Sequence, residues 1–147
     1  MILREVHQDL FTVSKDYILV HCISADFALG AGIAKEFNKR FDMRRKLQSK
    51  YPNYFDIFVR HHLNGGCIYE DRVLNLVTKK QYFEKPSIYT MKIALQNMKE
   101  ICLTNSITKL AMPRIGCGLD KLQWDKVKQI IEEVFFDTDV EILVCSI

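Results

Sequence analysis

No apolar run in this chain approaches the roughly 18 residues that a membrane-spanning helix needs. The opening "MILREVHQDLF" lacks a basic segment followed by a long apolar stretch, so no secretory signal is expected. No two of the five cysteines (Cys22, Cys67, Cys102, Cys117 and Cys145) have CxxC spacing, and their number is odd. Neither they nor His61-His62 have zinc-ligand spacing, so no metal is expected. Most of the cysteines sit in apolar strings such as "LVHCIS" and "ILVCSI", which reads as reduced thiols acting as small hydrophobes in a cytoplasmic protein. There is no internal repeat, low-complexity segment or linker. No heptad or other association pattern is evident, so a monomer is expected. Strong charge is missing as well: a net charge of +3 does not by itself argue for nucleic acid.

What is present fits one soluble domain spanning residues 1–147. The chain is 48% hydrophobic and 27% charged, and its length can bury a core without disulfides or metals. Basic residues cluster in "KRFDMRRKLQSK", between Lys39 and Lys50. A solvated helix face is the ordinary reading of such a run, and an anionic partner is the alternative.

The hydrophobic pattern alternates between two periods. "ILREV" reads as a first strand, and the continuous apolar run "DYILVHCIS" as a strand buried on both faces. "GIAKEFNKRF" has helical spacing, and "FDIFVRHHL" reads as extended. "GGCIYEDRVLNLVTKK" reads as two strands about an acidic turn at Glu70-Asp71. Ile88, Met91, Leu95, Met98 and Cys102 make one helical stripe, entered through Pro86 and Ser87. "KLAMPRI" is a short strand, Trp124, Val127, Ile131 and Val134 form a second stripe, and "VEILVCSI" is a last buried strand. Strands alternating with crossover helices predict an α/β fold with a mostly parallel sheet between helix layers.

Two loops stand out. "ISADFALGAGIAK" and "RIGCGLDK" each join an apolar strand to a helical pattern through Gly-x-Gly-x-x-Lys: Gly30, Gly32 and Lys35 in one, Gly116, Gly118 and Lys121 in the other. Glycines so close weaken regular structure and need a reason. One reason is a tight turn. The other is a backbone that must approach a ligand, with N–H groups and a helix N-terminus turned to phosphate oxygens. No GxxxxGK[ST] is present, which excludes a Walker-type NTPase. Lys35 and Lys121 stand where a dinucleotide fingerprint needs Gly or Ala. The loops therefore point to a diphosphate-bearing ligand held in another way.

The strings "HCIS" with "GAGIA", "LVTKK" with "KPSIY", and "MPRIGCGLDKLQW" with "IEEVF" resemble those of macrodomains, the ADP-ribose-binding fold. More narrowly they resemble the terminal ADP-ribose protein glycohydrolase subgroup, over nearly the whole chain. The resemblance implies a mixed, mostly parallel central sheet sandwiched between helices, an α/β/α macrodomain, with ADP-ribose across the strand ends and no cofactor. It implies that Asp9, with Leu10 beside it, accepts a hydrogen bond from the adenine amino group. Gly30, Ala31, Gly32 and Ile33 would hold the diphosphate on one side, and Ile115, Gly116, Cys117, Gly118 and Leu119 on the other. His21 and Ser24 match positions near the distal ribose, Lys79 the catalytic lysine and Asp120 the catalytic aspartate. Gln8 stands where the family often has Gly, and the tail "VCSI" has no aromatic residue to place near the adenine. The Asn-rich loop and Gly-Gly-Gly stretch of the other large hydrolase branch are absent, so its water-activating mechanism does not transfer.

The side chains suit breaking an ester at the anomeric carbon of the distal ribose. A lysine amine attacks either the ring-opened aldehyde or the anomeric carbon itself, once it is neutral; its reference pKa of about 10.4 must be lowered by burial or a nearby cation. Lys80 is adjacent, although strand alternation sends it to the opposite face. An aspartate in reach protonates the leaving carboxylate and then assists water. From the residues alone, Lys79 also reads as a solvated strand end, Asp120 as a helix N-cap, His21 as a satisfied core histidine and Cys117 as a small packed side chain. Three functions stay open: removal of mono-ADP-ribose from acidic side chains of ADP-ribosylated protein, its removal from ADP-ribosylated DNA bases, and a reader that binds ADP-ribose without turnover. Deacetylation of O-acetyl-ADP-ribose is a side activity of the first.

Overall fold

Apolar side chains on both faces mark Ile18–Ser24 as a strand that needs cover on two sides. It lies inside a six-stranded sheet in the computed structural model, which describes residues 1–147. The strands are β1 (Ile2–His7), β2 (Ile18–Ser24), β3 (Gly66–Glu70), β4 (Val73–Lys79), β5 (Lys109–Met112) and β6 (Glu141–Ser146). Their order is β1-β6-β5-β2-β4-β3, with every neighbouring pair parallel except β3 with β4. The helices are α1 (Gly32–Phe41), α2 (Met43–Lys50), α3 (Tyr54–Arg60), α4 (Ile88–Thr104) and α5 (Trp124–Phe135), with a 3-10 turn at Leu10–Thr12. None is long and apolar enough to cross a membrane.

Strand alternation divides the core in two. Val20, Leu74, Leu76, Met112 and Val144 face α4 and α5 and meet Leu95, Met98, Ile131 and Phe135. Leu19, Ile23, Val73 and Val77 face the other way and meet Phe37, Met43, Leu47 and Phe58 of α1, α2 and α3. This is the expected α/β/α sandwich. The stripe of α4 is buried as its spacing predicts, and the helix starts in a capping box between Ser87 and Thr90.

One expected strand is a helix. "FDIFVRHHL" reads as extended, yet Tyr54–Arg60 is α3. A two-residue period would bury Phe55, Ile57 and Val59 together, and all three are exposed. The buried residue is Phe58, and Tyr54, four positions earlier, packs against its ring at 6.0 Å. Helical spacing covers the sheet face with those two rings, and packing overrides the β-propensity of the branched residues.

The basic run forms the end of α1 and all of α2. Lys46 pairs with Asp71 at 2.9 Å and Lys50 with Glu70 at 2.7 Å, both in the β3–β4 turn. That turn lies at the end of the sheet opposite the carboxyl ends of the parallel strands. The solvated-face reading of the run is the one the structure bears out.

Candidate active site

Both glycine loops lie at the carboxyl ends of neighbouring strands, one after β2 and one after β5. In each, one glycine serves the turn and the other leaves room. Gly32 and Gly116 have φ of +58° and +73°. A Cβ on Gly116 would come within 2.8 Å of Met91 and 2.9 Å of Leu122, and one on Gly32 within 3.1 Å of Leu119, where the two loops touch. Gly118 would meet nothing within 4 Å, and Gly30 only the Ala28 carbonyl at 3.8 Å. The turn is thus seen at Gly32 and Gly116, and open space beside the backbone at Gly30 and Gly118. Gly116→Ala is expected to cost about 1–3 kcal/mol of stability through strain and overlap, and Gly118→Ala only a few tenths. Urea titration of the two variants checks this.

The backbone N–H groups of Gly30, Ala31, Gly32 and Ile33 have no backbone acceptor, nor do those of Gly118, Leu119 and Asp120. Helix α1 begins inside the first loop with no side-chain cap and no acidic residue in its first turn, which leaves its positive end free for an anion. The second loop differs from expectation. Helix α5 starts only at Trp124, five residues beyond Leu119, and carries Asp125 in its first turn, so its positive end is not left free of an acidic side chain as that of α1 is. That loop offers N–H groups alone. Asp9 caps the 3-10 turn by accepting from the Phe11 N–H with Oδ1 at 2.9 Å and keeps its second oxygen unpartnered.

Lys79 and Asp120 meet beside these loops. Lys79 Nζ donates to Asp120 Oδ1 at 2.8 Å, and the side chains are only 15% and 14% exposed. A bulge in the β2–β4 pairing makes this possible: Ile23 pairs with Val77 but Ser24 with Lys79, which drops Thr78 from the register. Strict alternation would carry Lys79 toward the face of Val77; a bulge re-aims side chains, commonly near active sites. Asp120 is not the cap of α5, and Lys79 is not a solvated strand end. Lys80, its neighbour, is exposed.

Asp26 was invisible as a motif. Its carboxylate accepts from the Ser24 hydroxyl at 2.5 Å, the Ala28 N–H at 3.2 Å and the Tyr82 N–H at 3.0 Å. These bonds tie the first loop to the segment after β4. They brace Phe27 and Leu29, buried non-glycine residues held at φ of 55° and 44°. Lys85 adds a second tie, donating to the Leu119 carbonyl at 2.7 Å. An acidic residue just ahead of a phosphate-type loop was the one signal for Asp26.

Some expected contacts lie below the surface. Ser24, Leu10 and the Ile115 side chain are buried, and the Ser24 hydroxyl is spent on Asp26. The Cys117 Sγ donates to the Ile115 carbonyl at 3.3 Å, and burial pushes its thiol up, as suits packing rather than attack. His21 also lies below the surface: its ring has no exposed surface, lies 3.9 Å from Phe37 in a stack, and shares a 2.6 Å Nε2–Oδ1 hydrogen bond with Asn75. By alternation it faces the α1 layer, so it supports the site from beneath. Burial lowers its pKa to about 4, against the opposing Asn75 hydrogen bond. The unfolded chain then binds a proton between about pH 6.5 and about 4 that the folded chain refuses. Stability is complete above that window and falls with pH inside it, by about 2 kcal/mol at pH 5. Urea midpoints at pH 7 and pH 5 should show this loss, and His21→Gln should remove it.

A shallow hollow on α5, lined by Gln129, Glu132, Glu133 and Phe136, belongs to the helix layer and not to the strand ends. No family model matches the chain. It is 43% identical over 142 residues to the ADP-ribose glycohydrolase OARD1 of Bos taurus, covering 97% of this chain and 90% of that one. The solved macrodomain of Thermus aquaticus DarG aligns with a TM-score of 0.78 at 23% identity, over 99% of both chains. Thermosipho africanus DarTG in complex with ADP-ribose aligns with a TM-score of 0.74 at 19% identity, over 98% of this chain and 41% of that one.

Proposed function

The chain belongs to the macrodomain ADP-ribose glycohydrolases, and from that premise we propose that it removes single ADP-ribose groups from acidic protein side chains, with Lys79 as nucleophile and Asp120 as acid and base. One observation carries the reading: the 2.8 Å Lys79–Asp120 contact, shielded from solvent, at the end of two loops whose N–H groups are free. The sheet order supports one direction for the ligand. Asp9 follows β1 at one edge and takes the adenine amino group on its free oxygen. The loops after β5 and β2 grip the diphosphate from both sides. The distal ribose then lies over the end of β4, at Lys79 and Asp120. The ADP-ribose held by the Thermosipho africanus relative supports the choice of ligand.

The chemistry follows from that placement. Asp120 Oδ1, at hydrogen-bond distance from Nζ, takes a proton from the ammonium and frees the nitrogen lone pair. The amine attacks the anomeric carbon as its bond to the ester oxygen breaks, and Asp120 returns the proton to the leaving carboxylate. In the resulting glycosylamine the C1–ring oxygen bond can break as the nitrogen lone pair forms a C=N bond, which gives the open-chain imine of the same Lys79 adduct. Water adds to C1 of that adduct with Asp120 as base and the Lys79 amine leaves, releasing ADP-ribose. Holding the diphosphate and the sugar together contributes several kcal/mol by positioning. O-acetyl-ADP-ribose presents an ester to the same groups and should be cleaved as well.

Release from DNA bases draws its sequence support from the basic run, and that run lies at the opposite end of the sheet, paired with Glu70 and Asp71. The deciding experiment measures free ADP-ribose from a glutamate-modified protein and from modified DNA. Release from the protein is expected. Tight ADP-ribose binding with no release from any substrate would leave a reader instead.

A further inference from the structure

Beyond Lys79 the crevice does not end. The segment between α3 and β3 and the end of β4 enclose a cleft of about 460 Å³. Val59 and Leu63 form an aliphatic wall, and both are exposed. Thr78, Lys79, Lys80 and Lys85 line the other side. Glu84 is the one carboxylate in the lining, and Lys80 and Lys85 make no ion pair. The buried Thr78 hydroxyl, at the bulge, has no hydrogen-bond partner.

We propose that this cleft is the acceptor subsite: it receives the peptide segment that carries the ADP-ribosylated carboxyl, and it favours segments with further acidic residues. The proposal rests on the glycohydrolase reading above and adds the partner's chemistry. Strand order is the main reason. Along the carboxyl edge the features run from Asp9 after β1, through the loops after β5 and β2, to Lys79 at the end of β4. Only β3 lies farther on, about 4.8 Å away in the sheet. A ligand laid in that row has its reducing end at Lys79, so the group attached there extends toward β3 and enters the cleft.

The lining selects among acceptors. The Lys80 ammonium, and the Lys85 ammonium that donates to the Leu119 carbonyl, have no carboxylate partner and complement carboxylates that flank the modified one. The aliphatic wall suits side chains and backbone of a peptide. A nucleic-acid base would seek an aromatic face. The exposed rings of Tyr82 and Phe83 do not line the cleft and pack edge to face on one another at 5.4 Å; of the rings that do line it, Phe58 is buried against Tyr54, and only the His62 imidazole is exposed.

The test compares three substrates: two peptides bearing the same ADP-ribosylated glutamate, one flanked by acidic and one by basic residues, and O-acetyl-ADP-ribose. The wild-type chain should favour the acidic peptide by about tenfold in kcat/KM. Lys80→Glu should narrow that preference to about twofold or reverse it, and about 0.5 M salt should do the same. Leu63→Asp should lower the ratio of peptide to acetyl-ester kcat/KM. Equal rates on the two peptides, with the acetyl ester still cleaved, would overturn the cleft's role and leave the glycohydrolase reading standing. No release from any of the three would overturn that reading and the proposal with it. Faster release from an ADP-ribosylated DNA oligomer than from either peptide would reassign the cleft to nucleic acid.

Discussion

Lys79→Ala is expected to lower release of ADP-ribose from a glutamate-modified protein by roughly 10³-fold or more, because the reaction loses its nucleophile. Alanine also leaves Asp120 without its cation, so a fall in activity could reflect a disturbed site. Lys79→Arg separates the two effects. Arginine keeps the charge and can hold the carboxylate, yet its guanidinium does not give up a proton at accessible pH. The arginine variant should therefore keep its stability in urea and still bind ADP-ribose by calorimetry while losing turnover. Borohydride added during turnover of the wild-type chain should leave ADP-ribose covalently on the peptide containing Lys79. Turnover by Lys79→Arg within tenfold of wild type would remove Lys79 from the chemistry.

Asp120→Asn should reduce kcat by about 10²–10⁴-fold, the usual range for a positioned acid-base group. The amide keeps the shape and a hydrogen bond to Lys79 but neither takes nor returns a proton. A second effect accompanies the first. Lys79 and Asp120 are shielded on most sides, and removing one charge leaves the other poorly solvated. Asp120→Asn should cost about 1–3 kcal/mol in a urea titration, less than the loss for a fully buried pair. Replacing both members by apolar residues of similar volume, Lys79→Met with Asp120→Leu, should recover most of that stability while activity stays lost. A stable double variant marks the pair as kept for chemistry. A double variant weaker than either single one would mark it as a structural tie instead.

Much of the architecture is legible in the chain because helices and buried strands announce themselves locally. The stripes of α4 and α5 repeat every three or four residues and are buried as that spacing demands. The runs that became β2, β4 and β6 are apolar on both faces, and those strands are covered on both sides. The segment that became α3 misleads for the same reason: its branched and aromatic residues fit a strand, and only the position of Tyr54 and Phe58 over the sheet decides for a helix. The glycine loops were legible as loops, but not the division of labour inside them, which depends on Met91, Leu122 and Leu119 coming close from elsewhere.

By itself, the order of residues determined which segments could be helix, strand or flexible loop, since apolar period and missing side chains act within a few neighbours. It also supplied the amine, the carboxyl and the free backbone N–H groups. The folded sheet decided where they stand. Pairing across the β2–β4 bulge turned Lys79 toward a carboxylate 41 positions away, sent His21 into the core, and put the basic run at the far end from the crevice. Such pairings depend on the free energy of the whole sheet, to which each strand contributes only part, so no single stretch of chain records them.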